Sequence, residues 1–258
     1  MKCPRCDSNH IRKNGKQRGK QNYICADCGR QFIEYHNQKG YSEEIKRECL
    51  EMYVNGSGFR AIERVKKVHH TTVIFWVKEI GNQLPKNPET TEIPEITEID
   101  ELETFVGFKK NKIWVWSVVN HKTSGILGWV LGDRSSDTFK QLWLRIKAWN
   151  SYFYVTRGFT VYPCFINQED HIVSKMYMTR VEGENSRLRH YLARLKRKTF
   201  CYSKSVEMLE LSIRLLVYYL KNRHIPMQGR SPCEDMAIGE ADTEGVSHNS
   251  YCDSATPD

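Results

Sequence analysis

The chain has 258 residues, nine cysteines and a formal net charge of +8. Residues 231–258 hold acids from Glu234 to Asp258 and no Lys or Arg, so the rest of the chain is more basic than the total suggests, a balance that favours a polyanionic partner such as nucleic acid. No apolar run approaches the ~20 residues that a membrane span needs, and the cysteine usage, with no secretory signal ahead of it, fits a reducing cytoplasm.

Cys3, Cys6, Cys25 and Cys28 form two Cys-x2-Cys knuckles with 18 residues between them. Each knuckle offers two thiolates, and the two together close a tetrahedral four-sulfur site with no open position. The spacing predicts a structural zinc ribbon over residues 1–38. Two disulfides are the alternative, which a reducing compartment disfavours. The loop between the knuckles carries Arg12, Lys13, Lys16, Arg18 and Lys20, a basic tip suited to a phosphate backbone. Of the five other cysteines, Cys49, Cys164 and Cys201 are expected to be small buried apolar residues.

Residues 41–84 read as three short helices. Ser42 is placed to cap the first, with Glu43 and Glu44 at its positive end. Phe59, Ile62 and Val65 mark the second. Val68-His69-His70 makes a turn, and Thr71 or Thr72 caps a third helix that ends near Gly81. Two helices joined by a tight turn predict a helix-turn-helix whose last helix reads DNA, with Thr72, Phe75 and Lys78 on its outer face. His69 and His70 read as turn or phosphate-contacting residues, since no third metal ligand is near in sequence. Residues 85–95, with Pro85, Pro88 and Pro94 among acids, read as a solvated linker.

Residues 96–226 form the next unit. Ile96 to Val106, Lys112 to Val119 and Ile126 to Leu131 read as an antiparallel meander. Ser136 or Asp137 caps a helix through Trp149, Tyr152 to Thr156 is a fourth strand, and His171 to Ser174 a fifth. Helices follow at about 182–198 and 204–223. This order predicts a multidomain α+β chain whose largest unit is a ribonuclease-H-like mixed sheet. Residues 227–258 lose all periodicity and read as a disordered tail.

Nucleases of that architecture hold two Mg2+ ions with carboxylates, hard oxygen ligands for a hard ion. Asp100 interrupts otherwise buried strand sequence, and Glu182 stands where the last acid would open a helix behind the sheet. Glu101 and Glu103 alternate with Leu102 and are expected to face solvent. After Glu182, Arg187, Arg189, Arg194, Lys196, Arg197 and Lys198 surround a stripe of Leu188, Leu192 and Leu195, a basic face suited to the DNA backbone.

Several stretches recur together in one order: Cys3–Cys28, Gly58–Arg64 with His69-His70-Thr71-Thr72, Ile99-Asp100-Glu101, Val173-Ser174-Lys175, Thr179–Asn185, Arg197-Lys198-Thr199 and Ser203–Glu207. On these the chain resembles the transposases of the insertion-sequence-1 family, in the form that fuses a zinc and helix-turn-helix part to a catalytic part. The resemblance implies a DDE transposase, a homo-oligomer on double-stranded DNA that cuts and joins the terminal inverted repeats of an insertion element with Mg2+. It assigns Asp100 and Glu182 as catalytic, magnesium-binding residues. Lys16, Arg18, Arg60, Thr72, Lys78, Arg187, Arg194 and Lys198, read from the basic loop, the helices and the basic stretch after Glu182, are the candidate DNA contacts.

One position departs from the family. Its second Asp lies in a Thr-Asp-Gly setting that here reads Thr156-Arg157-Gly158, with 24 residues between Arg157 and Glu182. A metal ligand is replaced by a cation, whose long side chain is expected to reach water at the cleft mouth. Two other readings stand beside an active transposase: a DNA-binding relative that occupies element ends and represses transposition, and a tyrosine recombinase built on Arg189, His190, Tyr191 and Tyr202.

Overall fold

The computed structural model describes residues 1–17, 19–33, 40–89 and 93–227. Arg18 and the tail beyond Met227 lie outside the described residues. The chain divides into two compact units, Met1–Ser42 and the part that starts at Glu43.

The first unit is a three-stranded antiparallel meander of β1 (Ile11–Gln17), β2 (Lys20–Cys25) and β3 (Gln31–Ile33). Its core is small: Cys3, Cys25 and Phe32 are buried, with Ile11, Tyr23 and Cys28 against them. So little apolar surface cannot hold a unit of this size, which makes the cysteine cluster its structural centre.

The second unit opens with α1 (Glu43–Val54), α2 (Phe59–Lys66) and α3 (His70–Gln83). The cap of α3 is His69, whose ring nitrogen accepts from Thr71 N, rather than Thr71 or Thr72. The helix also runs through Gly81 instead of stopping there. Gly81 is needed for packing: a Cβ at this position would lie 3.0 Å from Leu211 Cβ and 3.2 Å from the Leu211 carbonyl.

Leu211 belongs to α6 (Val206–Asn222), and α3 lies directly against that helix. Leu50, Ile62, Val73, Val77 and Ile80 share one core with Leu209, Ile213, Leu215 and Leu216. Inside it the Tyr53 hydroxyl meets Ser212 Oγ at 2.7 Å. The expected 41–84 unit therefore shares its interior with the unit expected at 96–226. The intervening segment is tied down as well. Asn87 Oδ1 accepts from Trp129 N at 2.7 Å, the Pro88 carbonyl from Arg145 at 2.8 Å, and the Glu89 carbonyl from Lys221 at 2.6 Å.

The large sheet has the order β6-β5-β4-β7-β8, with β4 (Ile96–Phe105), β5 (Lys112–Asn120) and β6 (Ile126–Gly132) antiparallel. β7 (Phe153–Thr156) and β8 (His171–Val173) run parallel to β4. Helix α4 (Ser136–Ile146), capped by Ser135 Oγ, covers one face with Phe139, Leu142 and Ile146 against Ile99, Trp116 and Val118. Helices α5 (Thr179–Tyr191) and α6 cover the other, over Leu102, Val115 and Val119. Cover on both faces explains why β5 is a near-continuous apolar run.

Three expectations need correction. The helix expected at 182–198 ends at Tyr191, followed by a single 3-10 turn at Ala193–Leu195. Leu188, Leu192 and Leu195 are all buried, but not along one helix. Cys164 and Cys201 are exposed; only Cys49 of that group is buried.

Candidate active site and metal centre

β4 carries carboxylates on both faces. Even-numbered residues point toward α5, odd-numbered ones toward α4, because side chains alternate along a strand. The register Thr97↔Tyr154 and Glu98↔Val155, extended two residues, sets Asp100 beside Arg157 just past the end of β7. Gly158 turns the chain there in the left-handed region (φ 82°), with no room for a side chain because Val173 Cγ1 would lie 2.7 Å from its Cβ.

Asp100 is 6 % exposed. Its Oδ2 accepts from the Asn185 amide at 2.9 Å, and Asn185 Oδ1 accepts from Ser117 Oγ at 3.0 Å. Glu182 lies one turn earlier on α5. The Arg157 guanidinium lies between the two acids, with Nε 3.4 Å from Asp100 Oδ1 and a terminal nitrogen donating to Glu182 Oε1. The structure thus brings together Asp100, Arg157 and Glu182, and the arginine pairs with both acids while its side chain stays 44 % exposed to water.

Burial pushes Asp100 up to about 6 from an ordinary value of 3.8, with Arg157 opposing the shift and Glu101 adding to it. Between those values the folded chain holds a proton that the unfolded chain has released. Stability therefore falls as pH rises from about 4 to about 6, and above that the ionised group costs about 3 kcal/mol. Asp100→Asn should accordingly melt several degrees above the parent at pH 7.5, with the gap closing by pH 4. Thermal melts across this range check it, and a gap independent of pH would refute it.

Glu98 and Glu101 also have buried side chains. Glu98 has no exposed surface; its Oε2 accepts from Val181 N at 2.8 Å and its Oε1 lies 2.5 Å from His121 Nδ1. It therefore ties the first turn of α5, and with it Glu182, to the sheet. Glu101 does not face solvent: its side chain is 5 % exposed, accepting from Tyr162 at 2.7 Å and from Arg134 at 2.5 Å. Glu103 is the exposed one, paired with Lys112 at 2.9 Å.

Two Mg2+ ions need bridging carboxylate oxygens. Here a guanidinium occupies the space between the two available acids, so the residues present do not fit that metal pair.

The cysteine cluster does fit a zinc ion. All four sulfurs lie within 4.8 Å of one another, and the Cys3–Cys28 and Cys6–Cys25 separations are both 3.6 Å. That is too long for a disulfide and close to the ~3.8 Å edge of a tetrahedron with ~2.3 Å Zn–S bonds. The two knuckles are built alike. Asp7 (φ 53°) and Gly29 (φ 70°) follow the second cysteine of each, and their N–H groups donate to Cys3 O and Cys25 O at 3.0 Å.

The cations assigned to DNA fall into different environments. Lys16, Arg60 and Lys198 are exposed, and Thr72 is half-buried. Lys78 is paired with Glu207 at 2.9 Å, and Arg187 with Glu184 at 2.8 Å. Arg194 is a correction: it is 8 % exposed and donates to the Tyr53 hydroxyl at 2.7 Å and Ser203 Oγ at 2.9 Å, so it holds the interior together rather than facing a phosphate. At the turn before α3, Glu63 supplies the third group that sequence proximity lacked. Its carboxylate lies 2.9 Å from His70 Nδ1 and 3.7 Å from His69 Nε2.

A family model described as IS1 transposase matches residues 95–225, the span that holds β4 to α6 and all of Asp100, Arg157 and Glu182. An insertion element iso-IS1n InsB protein of Shigella dysenteriae is 34% identical over 107 residues, covering 42% of this chain and 82% of the relative. The insertion element IS1 InsB protein of Shigella flexneri is 31% identical over 120 residues, 46% of this chain and 89% of the relative. An InsB protein of Escherichia coli strain K12 is 30% identical over 120 residues, 46% of this chain and 70% of the relative. The catalytic-type unit is that of a transposase, a class of enzyme that cuts DNA and transfers the cut strands. The chain belongs to the IS1 transposase family. No helix among the described residues is long and apolar enough to cross a membrane.

Proposed function

We propose that this chain binds the terminal inverted repeats of an insertion element in double-stranded DNA but does not cut them. The observation that carries the reading is the Arg157 guanidinium set between Asp100 and Glu182. The strand order, with three antiparallel strands and two parallel ones between helical layers, supports a ribonuclease-H-like unit. In such a unit Asp100 and Glu182 are the first and last metal-binding acids of a DDE transposase. An arginine at the second acid position removes a ligand and places a permanent positive charge where ions would gather. The same guanidinium favours phosphate, so affinity for DNA survives the loss of cleavage.

The N-terminal unit, read as a zinc ribbon, and the helix pair α2–α3, read as a helix-turn-helix, supply the duplex contact. Lys16, Arg60 and Lys198 supply exposed charge for it. Binding of the full chain to duplex DNA should weaken steeply with salt, since each phosphate contact adds about 0.9 to the slope of log K against log salt. Lys198→Ala should reduce that slope by about 1 while weakening all sequences alike. A salt-independent affinity would sink the electrostatic part of this reading. For the chemistry, the test is a Mg2+ cleavage assay on duplexes carrying element ends, in which the unmodified chain leaves the DNA intact. Robust cutting would overturn the proposal.

A further inference from the structure

A cleft of about 680 Å3 lies between α2, α3 and the segment 193–208. Its floor is rigid and aromatic: Phe59 stacks on Tyr53 with centroids 4.6 Å apart and planes 4° from parallel, and the Arg194 guanidinium lies 5.3 Å from the Phe59 ring. Arg60, Arg64 and Lys204 line it, exposed and without an ion-pair partner among the described residues. At its edge Phe200 is 98% exposed, just after the exposed cations Arg197 and Lys198.

Phe200 sits on a loop with one internal bond and one tie to the segment after β4. Cys201 N donates to Thr199 Oγ1 at 2.9 Å, and the Ser203 carbonyl accepts from Gly107 N at 2.8 Å. The Cys201 sulfur presses so closely on Gly58 that a Cβ there would lie 2.9 Å away. A fully exposed phenyl ring on this loop among unpaired cations has a surface for something that is both anionic and flat. A DNA strand offers both, provided its bases are not stacked in a duplex. The cleft is of a size for one or two nucleotides and too small to admit a double helix.

Resting on the transposase reading, we propose that this cleft binds an unpaired segment of DNA strand. Phe200 stacks on an exposed base, and Arg60, Arg64 and Lys204 hold the adjoining phosphates. Stacking on a ring needs no sequence readout, so the site takes any base. It gives the protein a grip on DNA whose strands have parted, beside the duplex contact of α2 and α3 and sharing Arg60 with it.

The experiment compares the full chain on two probes of one sequence at fixed salt: a blunt duplex, and the same duplex with an unpaired run of four thymines. The unpaired probe should bind more tightly. Phe200→Ala should weaken that probe by about 5- to 150-fold, the range expected for losing one base–ring stack, and leave the blunt duplex within twofold. Phe200→Trp should keep the preference. Because the side chain is exposed, both variants should melt like the parent. Equal affinity of the parent for both probes, or a Phe200→Ala loss that is equal on both or absent, overturns the inference while leaving duplex binding intact. No binding to either probe overturns the DNA-binding reading along with it.

Discussion

Arg157→Asp should turn a chain indifferent to divalent metal into one that Mg2+ or Mn2+ stabilises and, on element ends, activates. In the parent, the guanidinium is the counter-charge for Asp100 and Glu182. A divalent ion about 5 Å from it would meet roughly 7 kcal/mol of repulsion at an effective dielectric of ~20, and even a third of that weakens binding more than tenfold. The substitution removes the repulsion and adds a third carboxylate. Without metal, three acids then crowd one pocket, so the variant should melt lower than the parent. With metal at about a hundred times its Kd the variant should regain about 2.7 kcal/mol, while the parent stays unchanged. Metal-dependent melting and cleavage of element ends are separate readouts. Metal stabilisation of the parent equal to that of the variant would refute the role given to Arg157.

Removing zinc should unfold the N-terminal unit and spare the rest. With Cys3, Cys25 and Phe32 the buried apolar side chains among the described residues there, apolar burial does not hold the meander. Metal binding at such sites supplies about 10–16 kcal/mol of apparent free energy, and folding is drawn from it. The purified chain should contain one zinc ion, lost in Cys25→Ser or a strong chelator. Limited proteolysis should then cut within Met1–Ser42, while the larger unit keeps its cooperative melt. Protection of the N-terminal unit in chelator, with no metal bound, would overturn the assignment.

What was legible in the sequence was local or carried by spacing. The cysteine knuckles announce themselves because four sulfurs must converge on one ion, and the β4–β5–β6 meander follows from short turns between apolar runs. Asp100, Arg157 and Glu182 could be placed together from the family resemblance and the strand order. The direction of Arg157 could not, because its nearest attraction is a pair of carboxylates contributed by two other elements. Glu101 looked like surface charge for the same reason, and nothing local marked Glu98 as buried. Their partners, His121 and Val181 for one, Tyr162 and Arg134 for the other, are distant in sequence. Arg194 looked basic and available until Tyr53 and Ser203 closed around it.

The packing of α3 on α6 sets the order in which a newly made chain becomes useful. Tyr53 and Ser212, which meet in that core, are 159 residues apart. On the ribosome α1 to α3 emerge early, but their apolar side has no cover until α6 has been synthesised. Until then these helices resemble an exposed intermediate rather than a finished folded unit. Translation that stops short of Val206 should yield a sticky fragment, so a closed interior arrives only with the last helix.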